Sequence, residues 1–110
     1  MSRRLPPLYA LRAFEAASRH HSFTRAAEEL SITQSAISRH IRTLEDYFAC
    51  RLFQRSGRTL QLTEAARLLL PGVREGFAAL ERACHTLNAE DDILRMKAPS
   101  TLTMRWLLAR

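Results

Sequence analysis

Five residues between positions 34 and 42 could form a binding surface for a flat, polar and negatively charged partner. Read at about 100° per residue, they share one face of a helix: Gln34, Ser35, Ser38, Arg39 and Arg42. Their side chains offer hydrogen-bond donors and acceptors, and the two guanidinium groups add positive charge with no acid among the five. The pattern predicts recognition through hydrogen bonds and charge. An ordinary amphipathic helix with a solvated polar face is the alternative.

The helix that must position these residues is predicted over residues 33–48. Its apolar residues recur on a neighbouring side, so that the helix can be held from there: Ile37, Ile41, Leu44 and Phe48. Thr33 stands where an N-cap belongs, because its hydroxyl can accept from an unpaired N–H of the first turn. The sequence therefore predicts a helix that is anchored on one side and presents its polar side outward.

A shorter helix is predicted immediately before it, over residues 22–32. Phe23, Ala26, Ala27 and Leu30 share one face there, and the two alanines allow a second helix to cross closely. A short helix, a tight turn and a longer helix with a polar leading face are typical of a helix-turn-helix. The turn lacks the glycine often found there, so Ser31 has to do without the freedom of glycine at positive φ, which makes the motif weaker when taken alone.

Scaffold elements are predicted on both sides of this motif. An earlier helix ends near His20 and carries an apolar stripe: Leu8, Leu11, Phe14 and Ala17. After the motif, segments 52–55 and 59–62 flank a turn with Gly57 and predict a β-hairpin. A lone hairpin is marginal in water, so Phe53 and Leu60 are expected to pack against the helices. The hairpin tip brings Arg55 and Arg58 beside the polar helix, which makes residues 1–62 a winged helix-turn-helix.

A long helix is predicted over residues 63–89, with Thr63 as its N-cap. Its apolar residues follow a heptad pattern: Ala66, Leu70, Val73, Phe77, Leu80, Cys84 and Leu87. Pro71 and Gly72 interrupt the segment, but the register is the same on both sides, so a continuous helix is expected. A helix folded back on its own domain is the alternative. Because the small first unit offers little surface to cover so long a seam, a partner helix is favoured.

The amino-acid composition favours a protein that binds an acidic partner. The 110 residues carry a net charge of +6 with a pI of about 10.6, which favours an acidic partner. Residues 1–62 hold ten basic and five acidic side chains, and sixteen of the seventeen basic residues are arginine. Cys50 and Cys84 form no evident disulfide framework and are expected to act as small core or interface hydrophobes. We expect no catalytic residues, no metal site, no cofactor, no membrane partner and a cytoplasmic location.

The segments LRAFEAASRHHSFTRAAEELSITQSAISRHIRTLEDYF, LFQR and GRTLQLTEAA resemble the N-terminal part of LysR-type transcriptional regulators. The opening MSRRLPPLYALRAFEAA resembles the branch that includes regulators of glycine cleavage and β-lactamase genes. The resemblance implies a bacterial dimer that binds an imperfect inverted repeat near a promoter. It places Gln34, Ser35, Ser38 and Arg39 in the major groove and Arg58 near the minor groove. The complete set of expected DNA contacts is Thr24, Arg25, Thr33, Gln34, Ser35, Ala36, Ser38, Arg39, Arg42, Arg55 and Arg58. Of these, Thr24, Arg25 and Arg42 flank the reading face and are expected to contact phosphates.

The resemblance also concerns the long helix and the residues that follow it. It implies a homodimer through the linker helix, with Leu70, Val73, Phe77, Leu80, Cys84 and Leu87 at the interface. Residues 90–110 resemble the start of an effector-binding domain, here truncated, with a strand at 93–98. Ser100 and Thr101 lie where effectors commonly bind, so a small-molecule effector is expected only in a full-length form.

Two other functions remain open from the residues alone. The basic surface could bind nucleic acid without sequence preference, as nucleoid-like proteins do, in which case affinity would follow salt and not sequence. Alternatively, the long helix could be the working surface of a helical protein-interaction module. The leading interpretation is sequence-specific binding of double-stranded DNA by a dimer that regulates transcription.

Overall fold

The computed structural model describes residues 5–97, and side chains are described through Ala89. In that part of the chain the elements are, in order, α1 (Leu8–His20), α2 (Phe23–Leu30), α3 (Gln34–Phe48), β1 (Phe53–Ser56), β2 (Thr59–Leu62) and α4 (Glu64–Lys97). The prediction of a mainly α winged helix-turn-helix followed by a long helix is confirmed. The expected effector residues Ser100 and Thr101 lie outside the described residues.

Hydroxyl side chains fix where three helices begin. The Thr33 hydroxyl accepts the backbone N–H three residues further on at 3.0 Å, and the Thr63 hydroxyl does the same at 3.2 Å. Both caps were predicted from the sequence. Ser22 caps α2 in the same way at 3.1 Å. Each bond satisfies an N–H group that has no partner within its own helix.

The first three helices end at residues in the left-handed conformation, and none of these residues is glycine. They are His21, Ser31 and Ala49, with φ of 55°, 58° and 56°. In the turn between α2 and α3, the N–H of Ile32 returns to the carbonyl of Ala27 at 3.0 Å and closes the end of α2. Ser31 therefore takes the place of the missing glycine, at a conformational cost of roughly 1–2 kcal/mol for an L-residue.

The core lies where α1, α2, α3 and the hairpin meet. Its largest fully buried side chains are Phe14, Ile37, Leu44 and Leu52. Phe53 joins the hairpin to the helices, because its ring centroid lies 5.7 Å from that of Phe14 and 5.5 Å from that of Phe23. The buried alanines of α1 and α2 leave room for this close approach: Ala10, Ala13, Ala16, Ala17, Ala26 and Ala27. The expected packing of Phe53 and Leu60 against the helices is confirmed.

Leu8, Ile32 and Phe48 are exposed apolar residues, and two of them, Leu8 and Phe48, were expected in the core. Leu8 is 53% exposed at the first residue of α1, whereas the rest of the predicted stripe, Leu11, Phe14 and Ala17, is buried. Phe48 is 38% exposed at the last residue of α3, where its ring packs edge-on against Tyr47. Ile32, in the turn, is also 38% exposed. Residues at the ends of helices lie beyond the region that the neighbouring helices cover.

The hairpin forms the wing, with Phe53 paired to Leu62 and Ser56 paired to Thr59. Its first strand begins one residue later than predicted. The pairing leaves a two-residue loop of Gly57 and Arg58, and Gly57 has a φ of 66°. Glycine adopts this φ without the steric cost that a Cβ would add.

The fourth helix is continuous through Pro71, as predicted. The chain divides into two compact units after Arg74, and α4 contributes residues to both. The strand expected at 93–98 is wrong over 93–97, because α4 extends to Lys97. A helix pairs its N–H and C=O groups within the segment, whereas a single strand would leave them without backbone partners. Ala98 lies outside the described residues.

An ion cluster joins α1 to α2 and was not predicted. The Arg19 guanidinium donates to both oxygens of Glu29 at 2.8 and 2.9 Å, and to both oxygens of Glu15 at 3.0 and 2.8 Å. His20 Nε2 lies 2.7 Å from Glu29 Oε1. Hydrogen bonding from Arg19 lowers the pKa of Glu29 to about 2 against the opposing effect of burial, and it also lowers the pKa of Glu15.

We expect this cluster to make stability depend on acid pH. Since the folded-state pKa of Glu29 is depressed, its contribution is fully present above about pH 4.5 and is lost as the pH falls toward 2. Because the Arg19 and Glu29 side chains are 43% and 32% exposed, Arg19→Met should cost only about 1 kcal/mol at pH 6. Urea unfolding of wild type and Arg19→Met, at several pH values from 6 to 3 and at fixed protein concentration, measures the difference in their free energies of unfolding. The difference from wild type should shrink on acidification, whereas a constant difference, or an equal response in Arg58→Met, would contradict it.

Candidate nucleic-acid interface

The polar face of α3 is open to solvent, and its apolar face is anchored. Ile37, Ile41 and Leu44 are buried with exposures of 0%, 3% and 0%. Four of the five polar-face residues are exposed and Ser38 is half-buried; the exposed residues are Gln34, Ser35, Arg39 and Arg42. The arrangement predicted for this helix is therefore present, since the buried side holds the helix while the other side remains available to a partner.

The start of α3 is connected to α2 by side chains. The Thr24 hydroxyl donates to Oε1 of Gln34 at 3.2 Å. Arg25, the next residue of α2, is exposed. Thr33 and Ala36 were expected to contact DNA, and in the structure the Thr33 hydroxyl accepts the N–H of Ala36. This bond gives the two residues a structural part in orienting the first turn of α3.

A basic cleft of about 260 Å³ lies between α3 and the wing. It brings together three of the predicted residues, Ser38, Arg42 and Arg55, together with Arg51, which was not predicted. Apolar and polar residues complete the lining: Phe23, Ile41, Glu45, Phe53, Gln54 and Leu60. Three guanidinium groups around one cleft create a local concentration of positive charge suited to a phosphate group. Arg58, in the exposed loop of the wing, lies outside the set of residues that line this cleft.

Glu45 fixes the connection from α3 to the wing. Its Oε2 accepts the backbone N–H of Leu52 at 2.9 Å and lies 3.5 Å from Nε of Arg51. Arg51 also donates to the carbonyl of Phe53 at 3.3 Å. Sequence reasoning missed Glu45 and Arg51, because neither belongs to a periodic pattern. The one available signal was another arginine just before the first strand.

The residues predicted for a dimer interface remain at least partly exposed in the single chain. Leu70, Val73 and Phe77 are half-buried, and Cys84 is exposed. Leu80 and Leu87 are 50% and 42% exposed. Apolar side chains at this exposure can bury further surface against another helix.

Other kinds of site find little support in the described part of the chain. Among residues 5–89, whose side chains the structure describes, no group of three or more His, Cys, Asp or Glu side chains could hold a metal ion. In the same range, no helix has the length and apolar character needed to cross a membrane. Cys50 and Cys84 are free thiols and both are exposed, so of the expected core or interface positions the core is excluded for both.

Comparisons with known proteins agree with this geometry. Residues 8–67 match the family model for the bacterial regulatory helix-turn-helix proteins of the lysR family. The chain belongs to this family. The glycine cleavage system transcriptional activator of Escherichia coli K12 is 45% identical over 112 residues, which cover 100% of this chain and 37% of that protein. The chain therefore spans little more than a third of the length of this relative.

Two solved structures are similar to this chain in both sequence and fold. A Corynebacterium glutamicum OxyR C206 mutant is 30% identical, with a TM-score of 0.74 over 80% of this chain and 28% of that one. A complex of the BenM DNA-binding domain with catB site 1 DNA is 26% identical, with a TM-score of 0.69 over 76% of this chain and 92% of that one. The predicted LysR-type resemblance is confirmed, and the glycine cleavage relative agrees with the predicted branch.

Proposed function

We propose that the chain binds double-stranded DNA sequence-specifically as a homodimer and regulates transcription in the bacterial cytoplasm. The observation that carries this proposal is the open polar face of α3 beside the basic cleft of the wing. An α-helix fits the major groove of B-DNA, where base edges present distinct sets of donors and acceptors. The solved complex of the BenM domain with DNA supports the proposal, because this chain is similar to nearly all of that domain.

The proposed contacts divide into base reading and phosphate binding. Gln34, Ser35, Ser38 and Arg39 read base edges from the exposed side of α3. Arg42 and Arg55 bind a phosphate at the cleft, which Arg51 also lines. Two further contacts are proposed. Arg25 binds a phosphate near the start of α2, and Arg58 lies near the minor groove beside the wing. Charge supports this division, because α3 and the wing carry four arginines and only two acidic residues, Glu45 and Asp46.

The proposed dimer forms through α4, with an inverted repeat in a promoter as the DNA partner. Exposure of Leu80 and Leu87 in the single chain supports this interface. We also propose three functional regions: 1–62 for DNA, 63–89 for dimerisation and 90–110 as the start of an effector domain. The last boundary falls within α4, which extends to Lys97. No catalytic activity is proposed, since the named relative is a transcriptional activator.

Selection from a library of randomised duplexes tests this function. We expect the chain to enrich an inverted repeat and to bind it at least about 1,000-fold more tightly than a scrambled duplex, the lower end of the specificity ratios typical of DNA-binding proteins. Enrichment of no sequence, with affinity that depends on salt alone, would indicate non-specific nucleic-acid binding. If the chain bound no duplex at all, the alternative of a protein-interaction module, with α4 as its binding surface, would be favoured.

A further inference from the structure

One hydrogen bond crosses from α2 to the first residue of α3, directly at the proposed reading surface. Thr24 donates its hydroxyl proton to Oε1 of Gln34 at 3.2 Å. Both residues are exposed, and they are ten positions apart in the sequence. The bond links two helices at the place where one of them presents a side chain to DNA in the proposed function.

Thr24 lies on a packed part of the fold and can therefore restrict the conformations of the Gln34 side chain. It lies in the first turn of α2, whose start is fixed by the Ser22 hydroxyl. The same helix buries Ala26 and Ala27 against its neighbours. The Cα of Thr24 therefore belongs to a packed helix end, and a short side chain on such a support has few conformations to lose.

The chemistry of the hydroxyl limits what else Thr24 can do. A threonine hydroxyl has one proton to donate, and phosphate oxygens only accept. While that proton is shared with Gln34, the hydroxyl cannot donate to a phosphate. The phosphate contact expected for Thr24 from the sequence therefore competes with the bond that the structure contains.

The same bond decides which part of the Gln34 amide faces a base. A free glutamine can turn its amide to offer either its oxygen or its NH₂ group. With Oε1 directed at Thr24, the NH₂ group is the part of the amide directed away from Thr24, and it carries two N–H donors; Oε1 keeps one lone pair. Adenine is read by one acceptor and one donor of a glutamine, whereas N7 and O6 of guanine are both acceptors.

We propose that Thr24 is a positioning residue for Gln34 and directs its NH₂ group toward an acceptor-rich base edge, as on guanine. This inference rests on the proposed DNA-binding function. It revises the simple expectation that Gln34 reads adenine and that Thr24 contacts a phosphate. It assigns to Thr24 an effect on which base is preferred at one position of the site.

Four variants of the 110-residue chain test the assignment: Thr24→Val, Thr24→Ser, Gln34→Ala and the double variant Thr24→Val with Gln34→Ala. Valine matches threonine in shape but lacks the hydroxyl, and serine keeps it. Each protein is used to select from the same randomised duplex library. Affinities are then measured on the wild-type consensus duplex and on its single-base-pair variants. Thermal unfolding establishes that each variant is folded, which is expected because both positions are exposed.

We expect Gln34→Ala to relax a guanine preference at one base pair. Thr24→Val should reduce the preference at that same base pair by about threefold to tenfold, the worth of one hydrogen bond, and Thr24→Ser should restore it. In the Gln34→Ala background, Thr24→Val should have no further effect on any base pair.

Three results would overturn the inference, and they differ from one another. An equal loss on all duplexes that persists in the Gln34→Ala background would make Thr24 a phosphate contact. Unchanged preference in Gln34→Ala, or an adenine preference at its position, would remove the proposed reading by its NH₂ group. Absence of any enriched sequence for wild type would overturn the proposed function as well.

Discussion

A Leu80→Asp chain is expected to sediment as a folded monomer and to bind an inverted repeat roughly 100-fold more weakly than wild type, because two half-sites are no longer engaged together. Leu80 is 50% exposed in the single chain, so the substitution should leave the protomer folded. In the proposed dimer, burial of the exposed half of this leucine contributes roughly 1 kcal/mol per subunit, about half of the value for a fully exposed side chain. An aspartate there would place an unpaired charge in an apolar interface, which further weakens dimerisation.

Thr86→Asp is the matched control for this prediction. It introduces the same charge at an exposed position of α4, about 120° from Leu80 around the helix at 3.6 residues per turn. Sedimentation velocity gives the oligomeric state of each variant, and duplexes with one or two half-sites give the affinities. Thr86→Asp should remain a dimer. If Leu80→Asp also remained a dimer with wild-type affinity, the interface would have to lie elsewhere on the chain.

Local patterns in the sequence predicted most of the fold. The caps at Thr33 and Thr63, the anchored face of α3 and the hairpin around Gly57 each depend on a few neighbouring residues. Such signals act within one element, so they can be read before the tertiary structure is known. The continuity of α4 through Pro71 was predictable for the same reason, because the heptad register is unchanged across it.

Contacts between elements were much harder to predict. Arg19 and Glu29 are ten residues apart on different helices, and no periodicity relates them. The exposure of Leu8 depends on how far other elements cover the first turn of α1, which the periodicity of α1 itself does not show. At the candidate site, the polar face of α3 was predictable, whereas the approach of Arg51 to the cleft depends on the contact of Glu45 with the chain after α3.

Arg39 and Arg42 are expected to separate base reading from phosphate binding. Both are exposed on α3, but Arg42 lines the cleft beside Arg55, whereas Arg39 lies outside that set. A bidentate contact from Arg39 to guanine is worth about 1–3 kcal/mol of discrimination, so Arg39→Ala should weaken the consensus duplex roughly 5-fold to 150-fold with little change on a scrambled one. Arg42→Ala should weaken both duplexes alike and should lower the slope of log K against log salt by about one.

Lysine variants are the matched controls, because lysine keeps the charge but cannot make the planar two-point contact of arginine. Arg39→Lys should lose most of the base discrimination, whereas Arg42→Lys should keep the wild-type salt slope. Affinities on consensus and scrambled duplexes, measured at several salt concentrations, give both quantities for each variant. Equal losses on the two duplexes for Arg39→Ala would mean that Arg39 contacts a phosphate. A base-specific loss for Arg42→Ala would mean that the cleft presents its guanidinium groups to base edges instead of the DNA backbone.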